Sequence, residues 1–261
     1  MKQDRFDKIL EILAKNHSVQ IRSLARELDV SNETIRRDLL ELQSQSLLRC
    51  VRGGAVLDNQ TTGEYDIYVR TKTSPVEKEA ICRRAIELID DGDSIAIEAS
   101  TTTLTMGSLM AEKNGLTVIT NSIYIGNEVA KNPSNTVIIA GGILNSEAQK
   151  NMGSMTVSAF RGIRVDKGLF SVSGLSAEFG VTEYNEGEAD VVKAIVDVAK
   201  YSIILSDYLK FNTVGFMKTC DLNQVDTIVT DWHVTEKELL PFKKAGIKIL
   251  TAEEPGTGSL I

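Results

Sequence analysis

Hydrophobic residues recur along the chain in two rhythms, and the change of rhythm near residue 75 divides it. Early on, Phe6, Ile9, Leu10 and Leu13 fall at the i, i+3, i+4, i+7 spacing of one helix face. The run "SVQ" at 18–20 interrupts that pattern. Ile21, Leu24, Ala25 and Leu28 define a second face, and Ile35, Leu39 and Leu42 a third. Ser31 stands before the third run as its N-cap, because a short hydroxyl side chain accepts from the first free N–H groups of a helix. In "LLRCVRGGAVL" two short apolar pieces flank Gly53-Gly54, a dipeptide suited to a tight hairpin turn. Residues 58–75 are polar and aperiodic, and predict a linker ending near Pro75.

Past the linker, helical and strand patterns alternate. Helices are predicted near 76–90, 103–113, 122–131, 154–162, 186–199 and 235–244. Strands are predicted at 94–98, 116–120, 135–142, 167–172, 202–206, 227–230 and 247–250. Such alternation implies βαβ units and a mostly parallel sheet covered on both faces. The chain therefore divides into a head at 1–57, a linker at 58–75 and an α/β body at 76–261. Helix, helix, turn, helix, hairpin is the order of a winged helix-turn-helix, so the head is expected to be one.

Composition sharpens this division. The 261 residues are 42% hydrophobic, enough to bury two modest cores. No run of about 18 apolar residues predicts a membrane span. The opening "MKQDRFDKIL" is charged throughout and lacks the apolar core of a signal peptide, so a cytoplasmic location is expected. Cys50, Cys82 and Cys220 are far apart, and His17 and His233 are the only histidines. That scatter predicts no disulfide framework, no metal site and no cofactor. Net charge is -7, unevenly spread: residues 1–57 hold 10 Lys+Arg against 8 Asp+Glu, leaving 19 against 28 for the rest. A slightly basic, arginine-rich head on an acidic body points to two different partners.

The head carries nucleic-acid chemistry. With Ile35 inward and about 100° per residue, Asn32 and Arg36 flank the buried stripe while Glu33, Thr34 and Arg37 point outward. The first turn of a recognition helix normally enters the major groove. There Arg37 can offer guanine a bidentate pair, and Asn32 can read adenine. Arg36, with Arg49 and Arg52 of the hairpin, suits phosphates. Ser31 and Thr34 complete the expected DNA-facing set. A plainer reading competes: Glu33 and Glu41 lie four residues either side of Arg37, as in any exposed helix laced with ion pairs. The preceding helix and turn, and the arginine-bearing hairpin, favour DNA.

In an open α/β sheet, ligands bind beyond the carboxyl ends of the strands. Four predicted ends carry suitable groups. "EASTTTLT" offers Glu98, Ser100, Thr101, Thr102 and Thr103 at a helix start, where hydroxyls and free N–H groups suit an anion. "ITNS" adds Asn121 and Ser122, and "IAGG" adds Gly141 and Gly142, which permit close backbone approach. "LSDYLKF" adds Asp207 and Lys210, a carboxylate for sugar hydroxyls and a point charge for phosphate. Each piece alone could be a helix cap or a turn. Together they predict a small, polar, anionic ligand.

The head sequence, above all "VSNETIRRDL" and "RCVRGGA", resembles the N-terminal domain of DeoR-family bacterial transcription regulators. Arg52 stands where that family commonly has histidine. "EKEAICRRAIELIDDGDSIAIEASTTT", "LTVITNS", "VIIAGG" and "LSDYLKF" resemble the family's C-terminal sensor domain. Glu98 takes the place of the family's aspartate, Ser100 of its frequent glycine and Leu209 of a serine. The resemblance implies a fold like ribose-5-phosphate isomerase and glucosamine-6-phosphate deaminase, and a phosphorylated sugar as effector. It places Asp166 where the related enzymes keep a catalytic-loop aspartate, so Asp166 joins the expected effector set. It implies a repressor of sugar catabolism that binds a double-stranded operator as a dimer or tetramer.

Two other functions are open from sequence. The body could be a sugar-phosphate isomerase or deaminase with Asp166, Glu183 and Asp207 as candidate bases. The three cysteines could meet as a redox sensor.

Overall fold

The computed structural model describes residues 2–16, 18–44, 47–56, 70–71, 73–146 and 148–256. The chain forms two compact units, Met1–Pro75 and Val76–Ile261. The predicted linker at 58–75 falls mostly outside the described residues.

In the first unit, helices α1 (Lys2–Asn16), α2 (Ile21–Glu27) and α3 (Asn32–Ser44) enclose one core. Phe6, Ile9, Leu10, Leu13, Leu24, Ile35, Leu39 and Leu42 are all buried in it, the stripes that the spacing predicts. "SVQ" does more than break the pattern: Ser18–Gln20 is a strand, β1. It pairs antiparallel with β3 (Gly54–Val56), which pairs antiparallel with β2 (Arg49–Val51). The turn between β2 and β3 holds Gly53 at φ +86, a conformation costly for other residues. At Gly54, an added Cβ would collide with the Val19 carbonyl oxygen. Gly54→Ala is therefore expected to cost on the order of 1–3 kcal/mol in head stability. Chemical denaturation of the head and the unit's DNA affinity would both register it, while ligand-induced stabilisation of the second unit stays unchanged.

An ion pair between half-buried Arg5 and buried Asp38 ties α1 to α3. Arg5 Nε and Nη2 donate to the Asp38 carboxylate at 2.5 and 2.9 Å, and the Asp38 side chain is 4% exposed. Removing the partner of a buried charge strands that charge. Arg5→Ala should cost about 3 kcal/mol by that mechanism, read as a lowered denaturation midpoint.

The second unit is built on a seven-stranded sheet of order β15-β14-β12-β9-β4-β5-β6. Its strands are β4 (Ser94–Ile97), β5 (Thr117–Thr120), β6 (Thr136–Ile139), β9 (Val165–Phe170), β12 (Ala199–Leu205), β14 (Thr227–Thr230) and β15 (Lys248–Thr251). Every neighbouring pair is parallel. Helices α4 (Pro75–Ala85), α5 (Met106–Met110), α6 (Ile123–Val129), α7 (Ser154–Arg161), α8 (Glu186–Val198) and α9 (Glu236–Lys244) accompany it. Two apolar clusters, one on each side, cover the sheet: Ile81, Ile97, Met106 and Ile125 belong to one, Phe160, Phe170, Ile195 and Phe242 to the other.

The sheet contains a topological switch. The chain lays down β4, β5 and β6 outward in one direction, then returns to place β9 on the other side of β4. The connections leaving the carboxyl ends of β4 and β9 therefore part to opposite sides of the sheet, which leaves a crevice above those two paired ends. Five further strands lie outside the predicted pattern: the hairpin β7 (Ile143–Asn145) and β8 (Lys150–Met152), and a small antiparallel sheet of β10 (Gly174–Ser176), β11 (Gly180–Glu183) and β13 (Met217–Cys220).

Candidate functional site

In the head, α3 starts on a built cap. Thr34 N–H donates to Ser31 Oγ at 3.0 Å, and the two hydroxyls meet at 2.8 Å. Thr34 is thus half-buried against Ser31 rather than turned outward as its helical angle suggested. Asn32, Arg36 and Arg37 are exposed. Both arginines share one partner: Glu33 lies 3.4 Å from Arg36 and 3.5 Å from Arg37, whose side chains are 63% and 79% exposed. Glu41, the other expected partner of Arg37, instead pairs with Lys2 at 2.7 Å. Exposed pairs of this kind are worth about 0–1 kcal/mol, so Glu33 yields readily to a better anion. Arg49 and Arg52 are exposed on β2 and the following turn. The Ile21 N–H donates to the Gly53 carbonyl at 3.0 Å and fixes that turn against α2.

In the second unit, the residues of interest gather at the switch. The Glu98 N–H continues the β4–β9 ladder by donating to the Leu169 carbonyl at 3.0 Å. The Glu98 side chain is buried. Across the crevice Ser171 Oγ donates to Thr102 Oγ1 at 3.4 Å. Lys78, from the first turn of α4, donates to Thr101 Oγ1 at 3.2 Å and is 6% exposed. Lys150, from β8, lies 3.9 Å from Glu98 and pairs closely with Glu188 near the start of α8. Glu183, on β11, accepts from the N–H and hydroxyl of Ser173 just beyond β9. Hydroxyls, two buried lysines and buried carboxylates thus line one crevice.

Not every expected residue faces it as a free contact. Ser100 and Thr103 cap each other: Ser100 N–H donates to Thr103 Oγ1 at 2.9 Å and Thr103 N–H to Ser100 Oγ at 3.1 Å. Ser122 Oγ caps α6 by accepting from Ile125 N–H at 3.1 Å. Asn121 is a clamp: its side chain accepts from Ala99 N–H at 2.8 Å and donates to the Asn151 carbonyl at 3.1 Å. Gly142 has φ +154, and a Cβ there would come 2.5 Å from the Met152 carbonyl oxygen. Its lack of a side chain is required by the β7–β8 hairpin, not by a ligand's approach. Gly141 accepts from Thr156 Oγ1 at 2.8 Å and has open space around its Cα.

At the end of β12, Asp207 is buried and accepts from the Leu209 N–H at 3.1 Å. Lys210 follows, half-buried. Beside it Asp231 accepts from Tyr208 and His233 N–H groups, both at 2.8 Å, and burial raises its carboxyl above the usual range.

One expectation is corrected. Asp166 is the second residue of β9, at the amino end of the sheet. About four residues at roughly 3.3 Å each separate it from the crevice. Its carboxylate accepts from the Ser94 N–H at 3.1 Å and hydroxyl at 2.6 Å, which hold its pKa below the usual range. It joins two strand starts and does not meet the effector set. Asp166, Glu183 and Asp207 accordingly do not converge as the bases of an isomerase.

The cysteines do not converge either. Cys82 and Cys220 are buried in clusters on opposite sides of the sheet, and burial pushes both thiols up to about 12. Cys50 lies in the head. Thiols held that far from ionisation are poor nucleophiles. Among the described residues no group of His, Cys, Asp and Glu is placed to hold a metal, and no helix is long and apolar enough to cross a membrane.

Sequence reasoning passed over Lys78, Lys150, Ser171 and Ser173. Lys78 had a signal: it stands three, four and seven residues before Ile81, Cys82 and Ala85, on the buried stripe of α4. A lysine on an apolar stripe needs a reason. Lys150 had none, because its hairpin shows no strand alternation.

A winged helix-turn-helix joined to an α/β unit with a polar crevice at its switch point defines a transcription regulator with a sensor domain. Residues 5–61 match the family model of the DeoR-like helix-turn-helix domain, and residues 73–232 that of the DeoR C-terminal sensor domain. The chain belongs to the DeoR family. It is 30% identical to the HTH-type transcriptional repressor GlcR of Bacillus subtilis, covering 97% of both chains. It is 29% identical to the HTH-type transcriptional regulator GolR of Listeria innocua, over 96% of this chain and 98% of the relative. Against the glycerol-3-phosphate regulon repressor of Escherichia coli it is 28% identical, over 88% and 92%. Among solved structures, ribose 5-phosphate isomerase A of Methanocaldococcus jannaschii matches 51% of this chain and 52% of its own, with 15% identity and a TM-score of 0.37.

Proposed function

We propose that the protein is a cytoplasmic repressor whose head binds a double-stranded operator and whose body releases it on binding a small phosphorylated sugar or sugar derivative. Arg37 and Asn32 read base edges, while Arg36, Arg49 and Arg52 hold phosphates. Ser31 and Thr34 fix the helix start that presents them. Two heads per assembly read paired half-sites, so the working unit is a dimer or larger.

The observation that carries the effector reading is the crevice at the β4–β9 switch. Lys78 beside Thr101, with Thr102 and Ser171, supplies donors for a phosphate. Glu98 and Asp207 accept sugar hydroxyl protons, and Lys210 adds a positive charge at the end of β12. Ser100, Asn121, Ser122, Gly141 and Gly142 hold the strand ends in place. The relatives' printed names point the same way, since one is a regulator of the glycerol-3-phosphate regulon.

Effector and DNA must prefer different conformations for one to displace the other. A thermal-shift screen of phosphorylated sugars against the full chain tests the effector reading. A true ligand at 100 times its Kd stabilises by about 2.7 kcal/mol. A screen in which unphosphorylated sugars stabilise as well as their phosphates would remove the phosphate from the account.

A further inference from the structure

His233 belongs to neither proposed contact set, yet it stands where two turns of the crevice meet. It follows β14 by three residues. Its Nε2 lies 3.2 Å from Glu77 Oε1, in the first turn of α4. An ionised carboxylate only accepts, so Nε2 carries the proton. The His233 ring is 4.8 Å from that of Tyr208, which opens the short turn Tyr208–Lys210 at the end of β12. The loop holding it is fixed in turn, because the N–H groups of His233 and Tyr208 both donate to buried Asp231 at 2.8 Å. Glu77 immediately precedes Lys78, and Tyr208 stands two residues before Lys210. One imidazole thus meets both lysine-bearing turns of the proposed effector site.

The start of α4 is held in two further ways. Lys78 donates to Thr101 Oγ1 at 3.2 Å. Pro75, the first residue of the helix, is preceded by Ser74 at φ +52, and Thr73 and Ser74 are both buried. A serine in the left-handed region is strained, and such strain persists only where the surroundings over-determine the backbone. Pro75 is also the last residue of the first compact unit. Along the chain, the head therefore reaches the body through this strained elbow, four residues before Lys78.

We propose that His233 is a positioning residue: by holding Glu77 it couples the movement of Lys78 at the effector to the elbow that leads to the head. The inference rests on the effector reading above. A phosphate that draws Lys78 away from Thr101 displaces the same helical turn that carries Glu77. Against a fixed histidine, that displacement becomes a choice between two packed arrangements instead of slack movement of one side chain. An element with two discrete arrangements, biased by both ligands, is what coupling between distant sites requires. Without the contact, Lys78 still reaches the phosphate, but the elbow is no longer driven.

Trp232 makes the loop observable: it is the only tryptophan in the chain, and its ring lies 5.2 Å from that of His233. The full chain is titrated with ribose 5-phosphate, glucose 6-phosphate, glucosamine 6-phosphate and glycerol 3-phosphate, following thermal stability and Trp232 emission. The most stabilising of these is then carried into operator titrations. In the wild type, emission should change with the same midpoint as the stabilisation. His233→Leu should keep effector affinity within about fivefold, since a pair this exposed is worth ~0–1 kcal/mol. It should cut the effector's weakening of operator binding from about fivefold or more to under twofold, with circular dichroism unchanged. His233→Gln, whose amide still donates to Glu77, should restore the coupling. Ser74→Gly relaxes the elbow without touching His233 and should lower the coupling likewise, which keeps the test open should His233→Leu misfold. Full coupling in His233→Leu or in Ser74→Gly overturns the proposal and leaves the effector reading standing. Emission that is unmoved at saturation, or no rescue by His233→Gln, overturns it as well. Stabilisation by none of the four sugar phosphates removes the effector reading, and this inference with it.

Discussion

Lys78→Met combined with Thr101→Ala is expected to make the regulator deaf to its effector while leaving operator binding within about twofold. Lys78 is almost fully buried, yet it sits at the crevice with its ammonium on Thr101. Methionine keeps the stem that packs beside Ile81 and removes the charge. Losing a charged hydrogen bond costs about 1.5–3 kcal/mol, and two such losses amount to at least ~100-fold in effector affinity, at 1.4 kcal/mol per tenfold. Calorimetric titration of the effector would measure the loss, and anisotropy with labelled operator the unchanged DNA affinity. Undiminished effector binding by this double variant would remove the phosphate from the β4–β9 crevice.

Arg37 and Arg52 should fail in different ways. Arg37→Ala is expected to cost roughly 1–3 kcal/mol on the preferred operator and far less on sequences altered at the base pair it reads. Among the described residues its ion pair is with Glu33, shared with Arg36, and that exposed contact is too weak to account for such a loss. Arg52→Ala should weaken all sequences alike and lower the slope of log K against log salt by about 1. Competition binding on a panel of single-base operator variants, at several salt concentrations, separates the two. Equal, sequence-blind losses would refute base reading by Arg37 and return it to the phosphates.

The elements that sequence made legible are those that bury one clean face. The head's three stripes read at helical period because each helix has a single apolar side facing a small core. The parallel strands read as short apolar runs because helices cover both faces. The short antiparallel pieces were illegible for the opposite reason. β7 is exposed at all three positions, so no alternation exists to be seen. β1 is three residues long and is held by pairing with β3, a partner more than thirty residues away in sequence.

At the crevice, sequence located the strand ends but not the division of labour there. A run such as "EASTTT" does not say which hydroxyl caps and which points across. The fold assigns Ser100 and Thr103 to each other and turns Thr101 toward Lys78. The expectation for Asp166 rests on the family resemblance alone, and a resemblance of motifs does not fix at which end of a strand a residue stands. Only the register of β9 against β4, with Ser94 opposite, puts it at the amino end.

The central claim is that one chain couples a sugar phosphate in its body to DNA at its head. The most direct measurement selects an operator from a random-sequence library, then titrates the protein on that DNA with and without the phosphorylated sugar that stabilises it most. The account predicts that saturating effector weakens operator binding at least fivefold, the lower end of ordinary coupling, ~1–3 kcal/mol, and that operator weakens the effector by the same factor. Equal operator affinity with and without a bound effector would contradict it.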